Sequence, residues 1–275
     1  MATRSSVLRV TGAGDTSVVS GDGTRIALWR SGSGRPLVAV HGTTADHTRW
    51  ATVLPALESH FTVYAMDRRG RGGSGDAEHY AIEREFEDVA AAVDGIGESV
   101  ILLGHSFGGL CSLEASLRTA NVHRLILYEP PIPIGIEIYT PGLIDRLQAL
   151  LDAGDREALL TTFMSEVVRV PPDQLEFLRS LPAWEARLAA AHTLVRETRV
   201  DEKYRFQPGR WRGFDTPTLL LLGGESPPFL TQATEALHTA LPHSKLRVMP
   251  EQQHAAMDTA PDLFVEEILR FAGEQ

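Results

Sequence analysis

Short apolar runs alternate with segments of helical periodicity along most of this 275-residue chain. Several of the runs are apolar on both alternating faces, as in strands that are buried on two sides. Strands of this kind, joined by helices, are typical of a mostly parallel sheet with helices on both faces. The predicted parallel strands lie at residues 36–41, 61–67, 100–104, 123–128, 217–222 and 245–249. The pattern therefore predicts an α/β fold.

Two further segments complete the predicted architecture. Arg25-Ile-Ala-Leu-Trp29 follows the turn Gly21-Asp-Gly-Thr24 and indicates an antiparallel edge strand of an opening hairpin, which brings the expected sheet to eight strands. Residues 131–211 contain amphipathic helical stretches, including 143–151, 156–168 and 183–198, and no strand pattern. Because a structureless loop of that length would be unusual, we expect a helical cap there. The predicted core domain comprises residues 1–130 and 212–275, with the cap inserted after the sixth strand.

Composition excludes several classes of protein. The formal net charge of -10 and the pI near 5.5 argue against nucleic acid and membrane surfaces as partners. Cys111 is the only cysteine, so an internal disulfide or a cysteine-based metal cluster is not possible. There is no apolar run long enough for a signal peptide or a transmembrane helix. We expect a soluble cytoplasmic protein, and the sequence leaves its oligomeric state open.

The segment that carries the most chemical information is Gly104-His-Ser-Phe-Gly108, which matches the pattern G-x-S-x-G. It follows an apolar strand and opens a helical segment, the context in which this motif exposes a serine hydroxyl above a sheet. A side chain at Gly104 or Gly108 would crowd the neighbouring strand or helix. The helix N-terminus would favour negative charge developing beside Ser106. Taken alone, the pentapeptide is also compatible with an ordinary turn that has an N-capping serine.

Further segments, in the same chain order, resemble the α/β-hydrolase family. His41-Gly-Thr-Thr44 is similar to the family's oxyanion loop, and Asp67-Arg-Arg-Gly-Arg-Gly-Gly-Ser74 is similar to its DxRGxGxS turn. His254 follows the last strand and precedes the last helix, where the family places its catalytic histidine. The resemblance covers nearly the whole chain and implies the α/β-hydrolase fold.

These parts indicate a serine nucleophile with a histidine base. A serine hydroxyl needs a base to take its proton, and a neutral imidazole can accept that proton and return it to the leaving group. We therefore expect Ser106 to act as nucleophile and His254 as base. The resemblance implies that the backbone N–H groups of Thr43 and Phe107 bind the negative oxygen of the tetrahedral intermediate.

The acid of the predicted triad departs from the family pattern. After the seventh strand the family usually has an aspartate, but this loop reads Gly223-Gly-Glu-Ser-Pro-Pro-Phe229 and offers only Glu225, about two residues early. Glu129, at the end of the sixth strand, is the other candidate. We favour Glu129, because Pro130 and Pro131 would restrict its backbone to extended conformations and direct the chain away from the sheet. A histidine without a carboxylate partner remains the alternative.

We expect no cofactor and no metal. Gly70-Arg-Gly-Gly-Ser-Gly75 matches G-x-G-x-x-G, but the polar stretch Asp76–Tyr80 separates it from the next helix, so it does not open a helix as a dinucleotide-binding motif must. We expect Asp67, Arg68 and Arg71 to stabilise this turn and its neighbours. No pair of histidines or carboxylates has the spacing of a metal site such as H-E-x-x-H.

The sequence favours hydrolysis of a carboxyl ester or lactone of a small, partly apolar molecule through an acyl-enzyme on Ser106. The cap would close the pocket to water and select the substrate. Amide or thioester cleavage uses the same groups. Cofactor-free perhydrolysis, carbon–carbon hydrolysis, a lyase reaction and a non-catalytic ligand-binding role remain alternatives. Chemistry that needs an aspartate nucleophile is disfavoured because position 106 is serine.

Overall fold

A central sheet runs through the computed structural model, which describes residues 9–10, 15–135, 138–181, 183–199 and 204–274. The sheet has the strand order β1-β2-β3-β5-β4-β6-β7-β8-β9. The strands are β1 (Arg9–Val10), β2 (Asp15–Val19), β3 (Arg25–Gly32), β4 (Arg35–Val40), β5 (Phe61–Met66), β6 (Val100–His105), β7 (Val122–Tyr128), β8 (Thr218–Gly223) and β9 (Ser244–Met249).

The predicted eight-stranded, mostly parallel sheet is confirmed, with one addition. Strands β5, β4, β6, β7, β8 and β9 pair in parallel, and β2 and β3 form an antiparallel hairpin beside β5. The two-residue strand β1 adds a ninth member by pairing with β2. The expectation that β3 is an edge strand is wrong, because β3 lies between β2 and β5.

Helices cover both faces of the sheet. Helices α2, α3 and α9 contribute Phe86, Leu110 and Leu237 to a buried cluster on one face. Helices α1 and α11 contribute Leu57 and Phe264 to the cluster on the other face. The helices of these two layers are α1 (Leu54–Glu58), α2 (Ile82–Ile96), α3 (Phe107–Ala115), α9 (Pro228–Ala240), α10 (Ala256–Thr259) and α11 (Pro261–Gly273).

A helical insertion, residues 131–211, connects β7 to β8, and its described residues contain no strand. Its hydrophobic residues form a third buried cluster of their own. The sequence predicted three helical stretches, but α6 was missed. The predicted stretch 183–198 is also divided into two helices by a 3-10 turn at Ala191–Thr193. His192, in this turn, is exposed. The helices are α4 (Leu143–Asp152), α5 (Arg156–Glu166), α6 (Pro172–Ser180), α7 (Ala183–Ala190) and α8 (Leu194–Thr198).

Among the described residues, none of the helices combines the length and the apolar character needed to cross a membrane.

Helix α3 packs unusually close to the sheet where Ser106 joins them. A Cβ added at Gly108 would lie 2.2 Å from the carbonyl oxygen of His41 and 2.5 Å from that of Val40. A Cβ at Gly104 would lie 2.6 Å from the hydroxyl oxygen of Ser112. The predicted crowding at both glycines is therefore present, and it fixes the distance between β4, β6 and α3.

We predict that Gly108→Ala lowers the free energy of unfolding by about 3 kcal/mol, at the upper end of the usual cost of overpacking, because the obstructing atoms are main-chain carbonyls. Urea unfolding followed by circular dichroism measures this change. Gly213→Ala is the matched control, since an added Cβ there meets no atom within 4 Å. Equal stability of the two variants would contradict the close packing.

Candidate active site

Ser106 occupies a strained turn between β6 and α3. Its backbone has φ 54° and ψ -128°, a conformation that non-glycine residues rarely adopt. The turn is fixed on both sides, since the Ser106 N–H donates to the carbonyl of Tyr128 at 2.9 Å and the Ser106 carbonyl accepts from the N–H of Gly109 at 2.7 Å. This geometry places the serine side chain at the carboxyl edge of the sheet, at the start of a helix.

Glu129 leaves the end of β7 and is fully buried. Its carboxylate oxygen Oε2 lies 2.5 Å from Nδ1 of His254. The other oxygen, Oε1, accepts hydrogen bonds from the N–H of Gly223 at 2.7 Å and from the hydroxyl of Ser226 at 2.5 Å. Both oxygens are thus satisfied, as a buried carboxylate requires.

The expected conformation of Glu129 is wrong. Its backbone has a φ of +46°, in the left-handed region. We expected an extended backbone, because a following proline disfavours helical backbone conformations. The N–H of Glu129 donates to the carbonyl of Leu221 at 3.2 Å, so pairing with β8 continues to this residue. The contacts of the carboxylate and this pairing fix a conformation that the local sequence disfavours.

The side chains of Tyr128 and His105 hold the loop that carries His254 through hydrogen bonds to its backbone. The hydroxyl of Tyr128 donates to the carbonyl of Gln253 and accepts from the N–H of Ala256 at 3.1 Å. Nε2 of His105 lies 2.9 Å from the carbonyl oxygen of His254, so this nitrogen must carry the proton. Burial lowers the pKa of His105 well below its ordinary value, which keeps the ring neutral. These contacts fix the backbone of the loop on either side of the imidazole.

Glu225, the other candidate acid, lies in an exposed position at the edge of the cavity beside Ser106. Its backbone N–H donates to the carbonyl of Gln252 at 2.9 Å. Gly223 at the end of β8 and Ser226 in the following loop thus support Glu129, and the carboxylate on His254 comes from the residue after β7.

The oxyanion loop approaches Ser106 closely because Gly42 has no side chain. A Cβ at Gly42 would lie 2.8 Å from Cβ of Ser106. Thr43 and Phe107, the residues expected to supply backbone N–H groups, line one cavity together with Ser106 and His254. The four predicted positions therefore meet at the same place.

Two adjacent cavities lie at this place. The larger, of about 270 Å³, is bordered by the core and by side chains of the helical insertion, including Phe163 and Arg187. The smaller, of about 60 Å³, is mainly apolar and includes Leu110 and Phe229. Both are lined by five shared residues: Thr43, Ser106, Phe163, Val168 and His254.

A buried ion-pair network joins the DxRGxGxS turn to the helical insertion, and its acidic member was not predicted. Glu197, on α8, accepts from Arg68 at 3.0 Å and from Arg71. Burial acts to raise the pKa of Glu197, but the charges of Arg68 and Arg71 outweigh it and lower the pKa to about 2. Arg68 also pairs with Glu85, at 2.8 Å. Asp67 accepts from the N–H of Gly73 at 2.8 Å, so this turn is stabilised as expected.

Asp46, His47 and Asp67 place one potential metal ligand atom each within 4.8 Å of one another. Their atoms already have partners. Oδ1 of Asp46 accepts from the N–H of Thr48 at 2.9 Å, and Oδ1 of Asp67 accepts from the N–H of His47 at 2.7 Å. We therefore assign no metal to this group.

The sheet order, the serine turn and the buried glutamate–histidine pair together define a hydrolase-type site. The sequence model described as the alpha/beta hydrolase family matches residues 37–267. The chain belongs to this family.

Individual relatives agree with the family. An alpha/beta hydrolase from Sphaerobacter thermophilus DSM 20745 is 36% identical in sequence and superposes with a TM-score of 0.81. The alignment covers 93% of this chain and 99% of that protein. The pimeloyl-[acyl-carrier protein] methyl ester esterase of Aeromonas hydrophila subsp. hydrophila is 26% identical over 261 residues, 90% of this chain and 99% of its own length. The putative carbamate hydrolase RutD of Cronobacter turicensis is 29% identical over 238 residues, 83% of this chain and 87% of its own.

We predict that Glu197→Gln lowers the free energy of unfolding at pH 6 by about 3 kcal/mol, because two buried guanidinium groups lose their shared carboxylate. The pKa of Glu197 falls from an ordinary value of 4.5 to about 2 on folding, so the stabilisation is complete above pH 4.5 and is lost as the pH falls toward 2. The difference in unfolding free energy between wild type and variant should shrink from pH 6 to pH 3.

Urea unfolding at several pH values measures this difference. Glu176→Gln is the control, since its side chain is 76% exposed and its difference from wild type should stay small at every pH. A difference for Glu197→Gln that does not change with pH would contradict the assignment of a lowered pKa to this carboxyl group.

Proposed function

We propose that the protein hydrolyses a carboxyl ester or lactone of a small, partly apolar molecule through an acyl-enzyme formed on Ser106. The observation that carries this proposal is the arrangement of a strained serine and a carboxylate-bound histidine in the shared wall of two cavities. Relatives in the same family include a methyl ester esterase, which supports ester chemistry.

In the proposed reaction, His254 takes the proton from the hydroxyl of Ser106 as its oxygen attacks the substrate carbonyl carbon. Nδ1 of His254 faces Glu129, so Nε2 is the nitrogen left to act toward Ser106. The carboxylate fixes the proton on Nδ1 and stabilises the imidazolium that forms. His254 then returns its proton to the leaving oxygen. Water, activated by the same histidine, attacks the acyl-enzyme to release the acid.

The negative oxygen of the tetrahedral intermediate would be bound by the backbone N–H groups of Thr43 and Phe107. Phe107 is the first residue of α3, so its N–H has no partner within the helix and lies at the positive end of the helix dipole. Thr43 follows Gly42, which brings this loop close to Ser106, since a Cβ at Gly42 would lie 2.8 Å from Cβ of Ser106. Donors fixed in advance in this way stabilise charge that appears only in the transition state.

We further propose that the helical insertion is a cap on a core domain formed by residues 1–130 and 212–275. Its own hydrophobic cluster and its contribution to both cavity walls support this division. With the cap in place, the ester bond would lie beside Ser106, and the two parts of the substrate would occupy the two cavities. The small size of the apolar cavity would limit one of these parts to a short group.

We predict that Ser106→Ala lowers the turnover of short acyl esters by about a million-fold, as removal of a triad nucleophile does elsewhere. Labelling by a fluorophosphonate probe should disappear in the variant and be present in wild type. A far-ultraviolet circular dichroism spectrum that matches wild type would show that the fold is retained. Labelled Ser106→Ala protein, or an unlabelled wild type, would overturn the nucleophile assignment; the unlabelled wild type would favour a binding protein.

We predict that Glu129→Gln lowers turnover by at least about a hundred-fold. An amide is uncharged and cannot stabilise the charged imidazole, and its NH2 group would face Nδ1, which is also a hydrogen-bond donor. Glu225→Gln is the matched control and should remain within about ten-fold of wild type. Measurement of kcat on one ester for both variants decides between them. The reverse ranking would place the acid after β8, and two variants close to wild type would mean that His254 acts without a carboxylate.

A further inference from the structure

Arg187, on α7 of the helical insertion, is a buried cation in the wall of the larger cavity. The residue is only 9% exposed, and it lines the same cavity as Ser106 and His254. It makes no hydrogen bond or ion pair with any residue that the structure describes. An unpaired guanidinium with so little access to water carries a large desolvation penalty.

In two other buried arginines, direct pairing with carboxylates offsets the desolvation penalty. Arg68 pairs with Glu85 and Glu197, and Arg69 pairs with Asp88 at 2.6 Å. These carboxylates raise the pKa of Arg68 and of Arg69 despite burial. By contrast, burial and the nearby charge of Arg49 lower the pKa of Arg187 to about 10. The Arg187 side chain therefore still carries its positive charge at neutral pH.

Near Arg187, the buried positive charges outnumber the carboxylates that bind them directly. Arg49 is occupied by Asp258, at 2.6 Å, and also contacts the sulfur of Met257. Asp46 and Asp258 act on Arg187 only from a distance, and Asp46 accepts its hydrogen bonds from Thr48. Two guanidinium groups therefore face one directly bound carboxylate on this side of the cavity. Glu225 and Glu251, the other acidic residues in the cavity wall, are exposed and screened by solvent.

Resting on the proposed function, we propose that Arg187 binds a carboxylate of the substrate, which would then be an ester or lactone that carries a free carboxylate at one end. The charged end would occupy the larger cavity with Arg187, and the apolar end would occupy the smaller cavity lined by Leu110 and Phe229. A carboxylate can accept two parallel hydrogen bonds from a guanidinium, which gives orientation as well as affinity. Such a substrate would place its ester bond between the two cavities, at Ser106.

The test measures binding separately from catalysis. In a Ser106→Ala background, which cannot form the acyl-enzyme, calorimetry compares monomethyl adipate with methyl hexanoate, two esters of equal length that differ in a terminal carboxylate or methyl group. Monomethyl succinate, glutarate and pimelate extend the series to other lengths, each against the neutral ester of equal length. We expect the best carboxylate ester to bind about ten-fold or more tightly than its neutral counterpart.

Variants then assign the preference to one residue. Arg187→Gln should lower the ratio of the two affinities at least about ten-fold, and Arg187→Lys should restore part of it because the charge is kept but the paired geometry is lost. Arg179→Gln, an exposed arginine in the same insertion with pairs to Glu157 and Glu176, is the control and should leave the ratio unchanged. An unchanged ratio in Arg187→Gln, or no preference for any carboxylate ester in the series, overturns the proposal.

Hydrolysis by the wild-type protein separates this inference from the proposed function. A preference for the carboxylate ester in binding, together with no hydrolysis of either ester and no fluorophosphonate labelling, would overturn the function and support the carboxylate site. Hydrolysis of both esters with equal kcat/KM, and the same equality in Arg187→Gln, would support the function and overturn the carboxylate site.

Discussion

The buried carboxylate of Glu129 connects the three parts of the chain on which the site depends. It lies at the end of β7, accepts hydrogen bonds from the end of β8 and the following loop, and contacts the histidine after β9. An ionised carboxylate is costly to bury unless each oxygen is hydrogen-bonded. Removal of any one of these partners would therefore disturb the other two. The parallel pairing of β7, β8 and β9 aligns their carboxyl ends so that one side chain can reach all of them.

Backbone strain is concentrated around the same edge of the sheet. Among the described residues, five non-glycine residues have a positive φ, and four of these are Thr44, Ser106, Glu129 and Glu251. Three of the four line the larger cavity, and the fourth contacts His254. Each such conformation costs about 1–3 kcal/mol and persists only where surrounding contacts impose it. Here the well-packed layers on both faces of the sheet supply those contacts, so the core stabilises a set of positions that the local sequence would not adopt alone.

Much of the fold could be predicted because its signals are local. The alternation of apolar runs and helical segments gave the parallel strands and the helices of the two layers. The pattern G-x-S-x-G, between a strand and a helix, located Ser106. Within the insertion the prediction was weaker. Helix α6 was missed because it begins at Pro171-Pro172, a pair that is typical of loops. Helices α7 and α8 were joined because the turn Ala191–Thr193 between them contains no glycine or proline.

The supporting residues of the site could not be predicted because they depend on pairing between distant segments. The contact of Glu129 with His254 was expected, but the extended backbone offered as its reason is not what the structure shows. Ser226 contacts Glu129 across 97 positions, through the register of β7 on β8. Glu197 reaches Arg68 across 129 positions, through the docking of the insertion. A sequence pattern reports which residues share an element, whereas these contacts depend on how whole elements meet.

The net charge of -10 invites the conclusion that an anionic substrate would be repelled, but the relevant charges are those within the cavity. At physiological ionic strength, exposed charges more than about 8 Å apart are largely screened, so most of the surface carboxylates contribute little at the buried part of the cavity wall. Buried groups interact through a medium of lower dielectric constant and are screened much less. Burial is the main cause of the lowered pKa of His105, and the charges of Arg49 and Arg187 lower it in the same direction. An acidic protein can therefore present a locally cationic cavity wall, and the sign of the whole chain does not determine the sign of what the cavity binds.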